Sequence, residues 1–357
     1  MQHATAVAAA LGDLPRKPVR VLLLGCFDVM HSGHYNALRQ AKMLGDVLVA
    51  GVHAGESILL NKGPPVMTDE ERMKAAAACK WVDEVVGMIP YECNCRLLDR
   101  LNCDFCVHGD DLPRNLDGNM YEEVINANRC KIIRRTEGVS STNLLGRMVA
   151  LSKEHHSPSV LKDASNFLPT SRRLAAFSSD RAAARADTRV VYIDGAFDLF
   201  HVGHIETLLN ARRLGDFLLV GIHDDETVNA HKGANHPIMS LHERVLSVLS
   251  CRFVDDVIIG APWKVTNDMI TSLNISVVAS GSIQKELRSI DAASPNDPYA
   301  ACKSLGIFQI VSESRRLTTE TFVTRVLENL ERYSKKSHDR GTKELEYLAR
   351  KAFVAEV

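Results

Sequence analysis

Short apolar runs alternate with stretches of helical periodicity along most of this chain. Arg20 to Leu24 reads as a strand, Tyr35 to Met43 as a helix closed by Gly45-Asp46, and Val47 to Val52 as a second strand. A helix is predicted over Asp69–Lys80, where Thr68 and Glu71 have the spacing of a capping box, then a strand over Trp81–Val86 and a helix over Cys95–Leu101. Phe105–His108 reads as a strand ending at Gly109-Asp110-Asp111, Tyr121–Asn128 as a helix, Lys131–Arg134 as a short strand and Leu144–Leu151 as a helix. Such alternation implies an α/β fold with a Rossmann-like, doubly wound parallel sheet, whose ligands bind beyond the carboxyl ends of the strands.

The pattern then occurs again. Gly25-Cys26-Phe27-Asp28-Val29-Met30-His31-Ser32-Gly33-His34 returns 170 residues later as Gly195-Ala196-Phe197-Asp198-Leu199-Phe200-His201-Val202-Gly203-His204. Lys62-Gly63 returns as Lys232-Gly233, and at an offset of 172 Glu71-Arg72 returns as Glu243-Arg244. One domain has been duplicated. The boundaries predicted are a leader over 1–18, a first domain over 19–152, a Ser/Pro-containing linker with one short helix over 153–188, a second domain over 189–333, and a tail over 334–357 that is amphipathic from Leu345 to Val354.

Charge adds little to this picture. With 43 Lys and Arg against 44 Asp and Glu, the net charge of −1 offers no global attraction to nucleic acid or to an anionic membrane, so phosphate binding must be local. No apolar run approaches the ~18 residues that cross a bilayer. Nine cysteines, an odd number, suit reduced thiols in a cytosolic setting. Cys93, Cys95, Cys103 and Cys106 are numerous enough for zinc, but Cys93-Asn94-Cys95 lacks the usual spacer and Cys103 and Cys106 flank Asp104-Phe105 at the start of an apolar, strand-like run, so no protein-bound zinc is expected.

The chemistry that can be read is anion binding. His31 and His34 fall on one side of a helix's first turn, where orphan N–H groups favour phosphate, and Gly33 between them presents no Cβ. Lys62 precedes a glycine in a Pro-rich loop. Arg134-Arg135-Thr136-Glu137-Gly138-Val139-Ser140-Ser141-Thr142 follows a strand and supplies a cation, a glycine turn and three hydroxyls at a helix start, which suits a triphosphate. Phosphoryl-type transfer needs in-line positioning and positive donors more than a protein nucleophile.

In this order, on the strand ends of one Rossmann-like unit, these motifs resemble the cytidylyltransferase family, and the tandem copy resembles its two-domain branch. Lys62-Gly63-Pro64-Pro65-Val66, Lys80-Trp81-Val82-Asp83-Glu84-Val85-Val86, Cys103-Asp104-Phe105-Cys106-Val107-His108-Gly109 and Asp117-Gly118 carry the closer likeness, from Val19 to Arg147 and again from Val190 to Glu331. The resemblance implies CTP and phosphoethanolamine as substrates and CDP-ethanolamine and pyrophosphate as products, in the activation step of phosphatidylethanolamine synthesis. It implies catalysis by His31, His34, Lys62 and Arg135, and CTP binding by Cys26, Phe27, Asp28, Gly33, His108, Gly109, Asp110, Thr136, Gly138, Ser140, Ser141 and Thr142. Mg2+ is expected to arrive with CTP, held by phosphate oxygens and water rather than a protein cage. Asp28 is expected to orient the turn and a histidine rather than to bind metal. Trp81, Tyr91, Asp110 and Asp111 are candidates for the ammonium end of phosphoethanolamine, Trp81 by cation–π contact; a core aromatic at a strand start is the equal alternative for Trp81.

In the second half Ala196, Phe197, His201, Val202, Gly203, His204, Lys232, Ser280, Gly281, Thr318 and Thr319 are the candidates for a second nucleotide site, regulatory or structural. Aligned by hydroxyl pairs, Arg135 is met there by Ser312, Gly138 by Arg315, and Trp81 by Phe253. Catalysis is therefore expected in the first half. The alternatives are a cytidylyltransferase for phosphocholine or glycerol 3-phosphate, against which the short tail after Lys335 and the tandem copy argue, and a non-catalytic CTP-binding scaffold. A cytoplasmic setting is expected, with a homodimer and peripheral contact with the endoplasmic reticulum left open.

Overall fold

The computed structural model describes residues 16–112, 114–115, 118–136, 139–151, 170–178, 185, 187–233, 235–282, 297–312, 317–329, 333 and 354–357. The expectations for residues 1–15, Asp117, Gly138, most of the linker, 313–316 and the tail helix fall outside them. In the first half β1 (Arg20–Gly25), β2 (Val47–His53), β3 (Glu84–Ile89), β4 (Phe105–Gly109), a small hairpin of β5 (Arg114–Asn115) and β6 (Gly118–Asn119), and β7 (Cys130–Ile133) succeed one another. In the second half come β8 (Val190–Gly195), β9 (Phe217–Ile222), β10 (Asp256–Ile259), β11 (Ile275–Gly281) and β12 (Phe308–Val311).

Two five-stranded sheets result, β3-β2-β1-β4-β7 and β10-β9-β8-β11-β12, with every pairing parallel. In each the strand order reverses beside the first strand, opening a crevice at the carboxyl ends of β1 and β4, or of β8 and β11. β1 is buried on both faces over Val21–Leu24, which is why it reads as a continuous apolar run rather than an alternating one.

Two local expectations are corrected. β3 starts at Glu84, not Trp81, because Asp83 turns the chain: its Oδ2 accepts from the Leu48 N–H at 2.7 Å and from Lys42 Nζ at 2.6 Å. Lys62 is not in a loop; it is the last residue of the helix Gly55–Lys62, in which Ile58 is the buried residue, so little periodicity announces it. Gly63 ends that helix at φ +90°, a conformation glycine adopts without a Cβ penalty. The linker's short helix is Thr170–Phe177.

One apolar cluster runs through both halves, from Val21 and Leu38 to Val220, Val248 and Tyr333. The contacts that join them exchange under the repeat. Lys80 N–H donates to the Ser250 carbonyl and Arg252 N–H to the Ala78 carbonyl, both at 2.9 Å. Arg325 forms a two-pronged pair with Glu71 (2.7 and 3.0 Å) and donates to the Val66 carbonyl, while Arg147 pairs with Glu243 (2.8 and 3.3 Å) and donates to the Ile238 carbonyl. This is an isologous interface inside one chain.

Candidate active site

The turn after β1 is built around two left-handed residues, Phe27 (φ 49°) and Val29 (φ 44°). Bulky side chains there cost about 1–3 kcal/mol each, so the surroundings must hold the turn. Arg72, fully buried, donates from Nη1 to the carbonyls of Cys26 and His53, both at 2.8 Å, and pairs with Asp69. Asp28 accepts from the Val66 and Met67 N–H groups, each at 2.9 Å, tying the turn to the segment after Lys62. Through these two bonds it holds that segment against the turn.

His31 is the N-cap of the helix Ser32–Met43. Its Nδ1 accepts from the Gly33 N–H at 3.1 Å, and the His34 Nδ1 accepts from the His31 N–H at 3.4 Å. A neutral imidazole that accepts at Nδ1 carries its proton on Nε2, so two N–H donors stand on one helix start, their ring centroids 4.1 Å apart. A Cβ on Gly33 would lie 2.9 Å from the His31 ring. Glycine is thus favoured by the histidine's own position.

The other expected groups come from neighbouring strand ends. Lys62 Nζ stands 5.7 Å from the Tyr91 ring centroid, and Tyr91 packs on His53 at 4.7 Å. Burial and then the Lys62 charge push the His53 imidazole down to about 4. His108 is the penultimate residue of β4, where its Nδ1–H donates to the Gly109 carbonyl at 2.9 Å and its ring packs on Tyr121; burial lowers its pKa. The Arg135 N–H donates to Asp110 Oδ1 at 3.2 Å, and its Nε lies 3.4 Å from Asp111 Oδ2. Both aspartates proposed for the ammonium group are therefore engaged in placing Arg135. Thr136 accepts from Asn36 at 3.0 Å, Ser140 Oγ accepts from the Asn143 N–H, and Ser141 Oγ donates to the Asp28 carbonyl, closing the ring back to the first turn. Thr142 is buried at the same helix start.

Trp81 is not part of this site. It lies before β3, at the amino-terminal edge of the sheet, edge-on to Phe177 at 5.0 Å and under Lys80 Nζ. A residue preceding a parallel strand faces away from the carboxyl ends, so its core alternative is the one the fold adopts. Among the described residues no group of three or more His, Cys, Asp or Glu is gathered to hold a metal ion. Cys93, Cys103 and Cys106 lie in the core on the outer face of the first sheet, and burial pushes the Cys103 thiol up to about 11. Sequence reasoning missed His53, Arg72, Asn36 and Gln40 as parts of the site; the recurrence of His53 as His223 and of Arg72 as Arg244 was the signal available for two of them.

The second half keeps the turn and Lys232 but has an acid at the position aligned with Arg135. Phe197 and Leu199 are left-handed, Asp198 accepts from the Ile238 and Met239 N–H groups, Arg244 donates to the Ala196 carbonyl, and Thr319 Oγ1 donates to the Asp198 carbonyl. Cys106 pairs with Cys130 where Val278 pairs with Phe308, and the carbonyls of Arg134 and Ser312 accept from Gln40 and Asn210. The offset at this strand is thus 178, one more than the hydroxyl pairs gave. Arg135 corresponds to Glu313 rather than Ser312, Gly138 to Arg316, Ser140-Ser141 to Thr318-Thr319, and Thr142 to Glu320. Glu320 stands 3.7 Å from Lys232 Nζ. His201 and His204 stack at 3.8 Å, His201 buried and His204 half-buried; burial, then His204 and Lys232, drive the His201 pKa far down, and burial and Lys232 bring His204 to about 3. Neither nitrogen of His201 has a hydrogen-bond partner, and Ser280 Oγ is likewise buried without one.

Two stretches, residues 22–182 and 192–322, match the family model described as cytidylyltransferase-like. The chain is 48% identical to the ethanolamine-phosphate cytidylyltransferase of Dictyostelium discoideum over 93% of its own length and 97% of that protein's. It is 47% identical to the protein of that name from Arabidopsis thaliana (95% and 87% covered) and 39% identical to the one from Mus musculus (97% and 95%). No described helix is long and apolar enough to cross a membrane. With the matched model laid over both parallel sheets and full-length relatives of one name, the chain belongs to the cytidylyltransferase-like family in its two-domain form, beside the ethanolamine-phosphate cytidylyltransferases of these three organisms.

Proposed function

We propose that this chain transfers the cytidylyl group of CTP to phosphoethanolamine, giving CDP-ethanolamine and pyrophosphate, and that the first half carries the chemistry. The observation that supports the site reading is the pair of imidazoles whose Nδ1 atoms are both taken by backbone N–H groups. That leaves their Nε2–H groups as donors at a helix start flanked by Lys62 and Arg135. A phosphate oxygen of phosphoethanolamine attacks the α-phosphorus; the bond from that phosphorus to the bridging oxygen of the leaving pyrophosphate breaks, and no protein nucleophile intervenes. His31 and His34 donate to the charge that grows on the α-phosphoryl oxygens and the departing group, and Lys62 and Arg135 balance the triphosphate and the incoming monoester.

Asp28 is committed to backbone N–H groups and Asp110 and Asp111 to Arg135, so this chain suits a magnesium ion that enters on the triphosphate with water as its other ligands. When bound, such an ion neutralises phosphate charge; no step is assigned to it. Tyr91, beside Lys62 and His53, is the remaining candidate for the amine end. In the second half Glu320 answers Lys232, so that half's role in the reaction is to hold the first.

The test is pyrophosphate release from CTP with magnesium, in parallel with phosphoethanolamine, phosphocholine, glycerol 3-phosphate and no acceptor. Turnover should require phosphoethanolamine, fall by about 100-fold or more in Arg135→Ala, and survive Lys232→Ala. CTP binding with no acceptor driving turnover would establish the scaffold reading instead, and loss of turnover in a folded Lys232→Ala protein would overturn the assignment to the first half.

A further inference from the structure

Residues Val354–Val357 lie against the helix Ser32–Met43, and Glu356 enters a basic pocket there. Its Oε1 accepts from Arg39 Nη2 at 2.9 Å and Asn36 Nδ2 at 3.1 Å, and its Oε2 from Arg173 Nη2 at 3.5 Å. Arg39 and Arg173 are 7% and 9% exposed, and burial holds the Arg173 guanidinium below its usual range. Arg173 Nη1 has no hydrogen-bond partner. Two buried cations so placed need an anion, and among the described residues Glu356 supplies it.

What the glutamate touches gives the contact its consequence. Asn36 Nδ2 also donates to Thr136 Oγ1 at 3.0 Å, and its Oδ1 accepts from Arg39 Nε at 2.9 Å. Gln40, fully buried, donates to the Arg134 carbonyl at 2.9 Å and accepts from the Val357 N–H at 3.4 Å. Arg135 lies between the two residues so gripped. The second half has no such receptor: Asn36 is replaced by Glu206 and Arg39 by Leu209, while Asn210 alone keeps the grip on the strand end.

We infer that Val354–Val357 is a strap, with Glu356 as a positioning residue that fixes Asn36 and Gln40 and through them sets Arg134–Thr136 for the nucleotide. The inference rests on the reading of that run as the triphosphate site. Glu356 touches neither substrate nor reacting atoms in this scheme; it acts on CTP through order in the run.

Two measurements on the full chain decide it. In Glu356→Ala, amide hydrogen exchange without nucleotide should quicken about tenfold at residues 134–136 and not in β8–β12, and KM for CTP should rise about five- to tenfold with kcat and KM for phosphoethanolamine within about twofold. Glu356→Asp should recover most of both. Unchanged exchange at 134–136, equal quickening in both sheets, or a fall in KM for CTP, which would make the segment a plug, overturns the strap. If the unaltered protein shows no turnover with phosphoethanolamine while exchange responds as stated, the proposed function fails and the strap stands.

Discussion

Replacing Glu71 by Gln tests whether the two halves are energetically one unit. The Glu71 carboxylate is 3% exposed and accepts three hydrogen bonds: it caps its own helix by accepting from the Thr68 N–H at 2.9 Å, and it receives both Nη atoms of Arg325 from the other half. Glutamine keeps the volume and one acceptor but turns an NH2 group toward a guanidinium or an N–H. Hydrogen bonds to charged groups contribute about 1.5–3 kcal/mol each, and breaking one side of a buried pair costs about 3–5 kcal/mol. Arg325 is 29% exposed and regains some hydration, so the expected loss is about 3 kcal/mol at pH 7. Urea unfolding of both proteins measures it.

The same pair has a pH signature whose sign follows from Glu71. Burial alone would raise its pKa, but the Arg325 hydrogen bonds and charge and the Thr68 N–H outweigh burial and leave it below 4.5. Its contribution is therefore complete above the unfolded value of 4.5 and disappears as pH falls through the folded one. The deficit of Glu71→Gln should shrink in acid, since the unaltered residue is then neutral too. A deficit under ~1 kcal/mol at pH 7, or one that does not change on acidification, refutes the coupling.

Other expectations are shorter to state. Asp28→Asn should cost about 2 kcal/mol and raise KM for CTP by displacing the Lys62–Met67 segment, read by denaturation and steady-state kinetics; equal kinetics would remove Asp28 from the positioning chain. His204 has its pKa pushed down to about 3, so its neutral burial costs stability as pH falls below the ordinary value of 6.5, about 2 kcal/mol by pH 5. His204→Asn should therefore lose less stability between pH 7 and 5 than the unaltered chain. Trp81→Phe, which copies Phe253 of the other half, should leave KM for phosphoethanolamine within about twofold because Trp81 packs on Phe177; a large rise would return it to the site. Calorimetry should find one CTP per chain, and a second equivalent would show that the Glu320–Lys232 pair does not keep nucleotide from the second half.

Much of this was legible in the residues because the features that shape the fold are local. Val21–Leu24 reads as strand since both its faces are covered, and Thr68–Glu71 reads as a helix start since the cap is written in two side chains. The turn at His31 was legible for the same reason. What escaped depended on partners far along the chain. Nothing near Trp81 says that Asp83 will be spent on Leu48, and nothing near Ser312 reveals that the offset has grown to 178, because the added length precedes β12 and shows only in how Phe308 pairs with Val278. Asn36 and Arg39 look like surface polar residues of an amphipathic helix until Glu356, more than 300 residues on, is placed beside them.

The duplicated motif also has to be separated from the activity it suggests. Asp198 in the second half retains the bonds Asp28 makes in the first, and Arg244 those of Arg72 to the turn, yet these bonds hold a strained backbone and serve the fold whether or not a nucleotide is present. The cations are the more informative groups. Lys62 and Arg135 have no counterpart pair in the second half, where Lys232 faces Glu320 and the Arg135 position is Glu313. What the second half does supply is Arg325, which bonds the Val66 carbonyl beside the N–H held by Asp28. Arg325→Ala should therefore raise KM for CTP although it lies in the half assigned no chemistry, and unchanged kinetics in a folded Arg325→Ala protein would reduce that half to a passive neighbour.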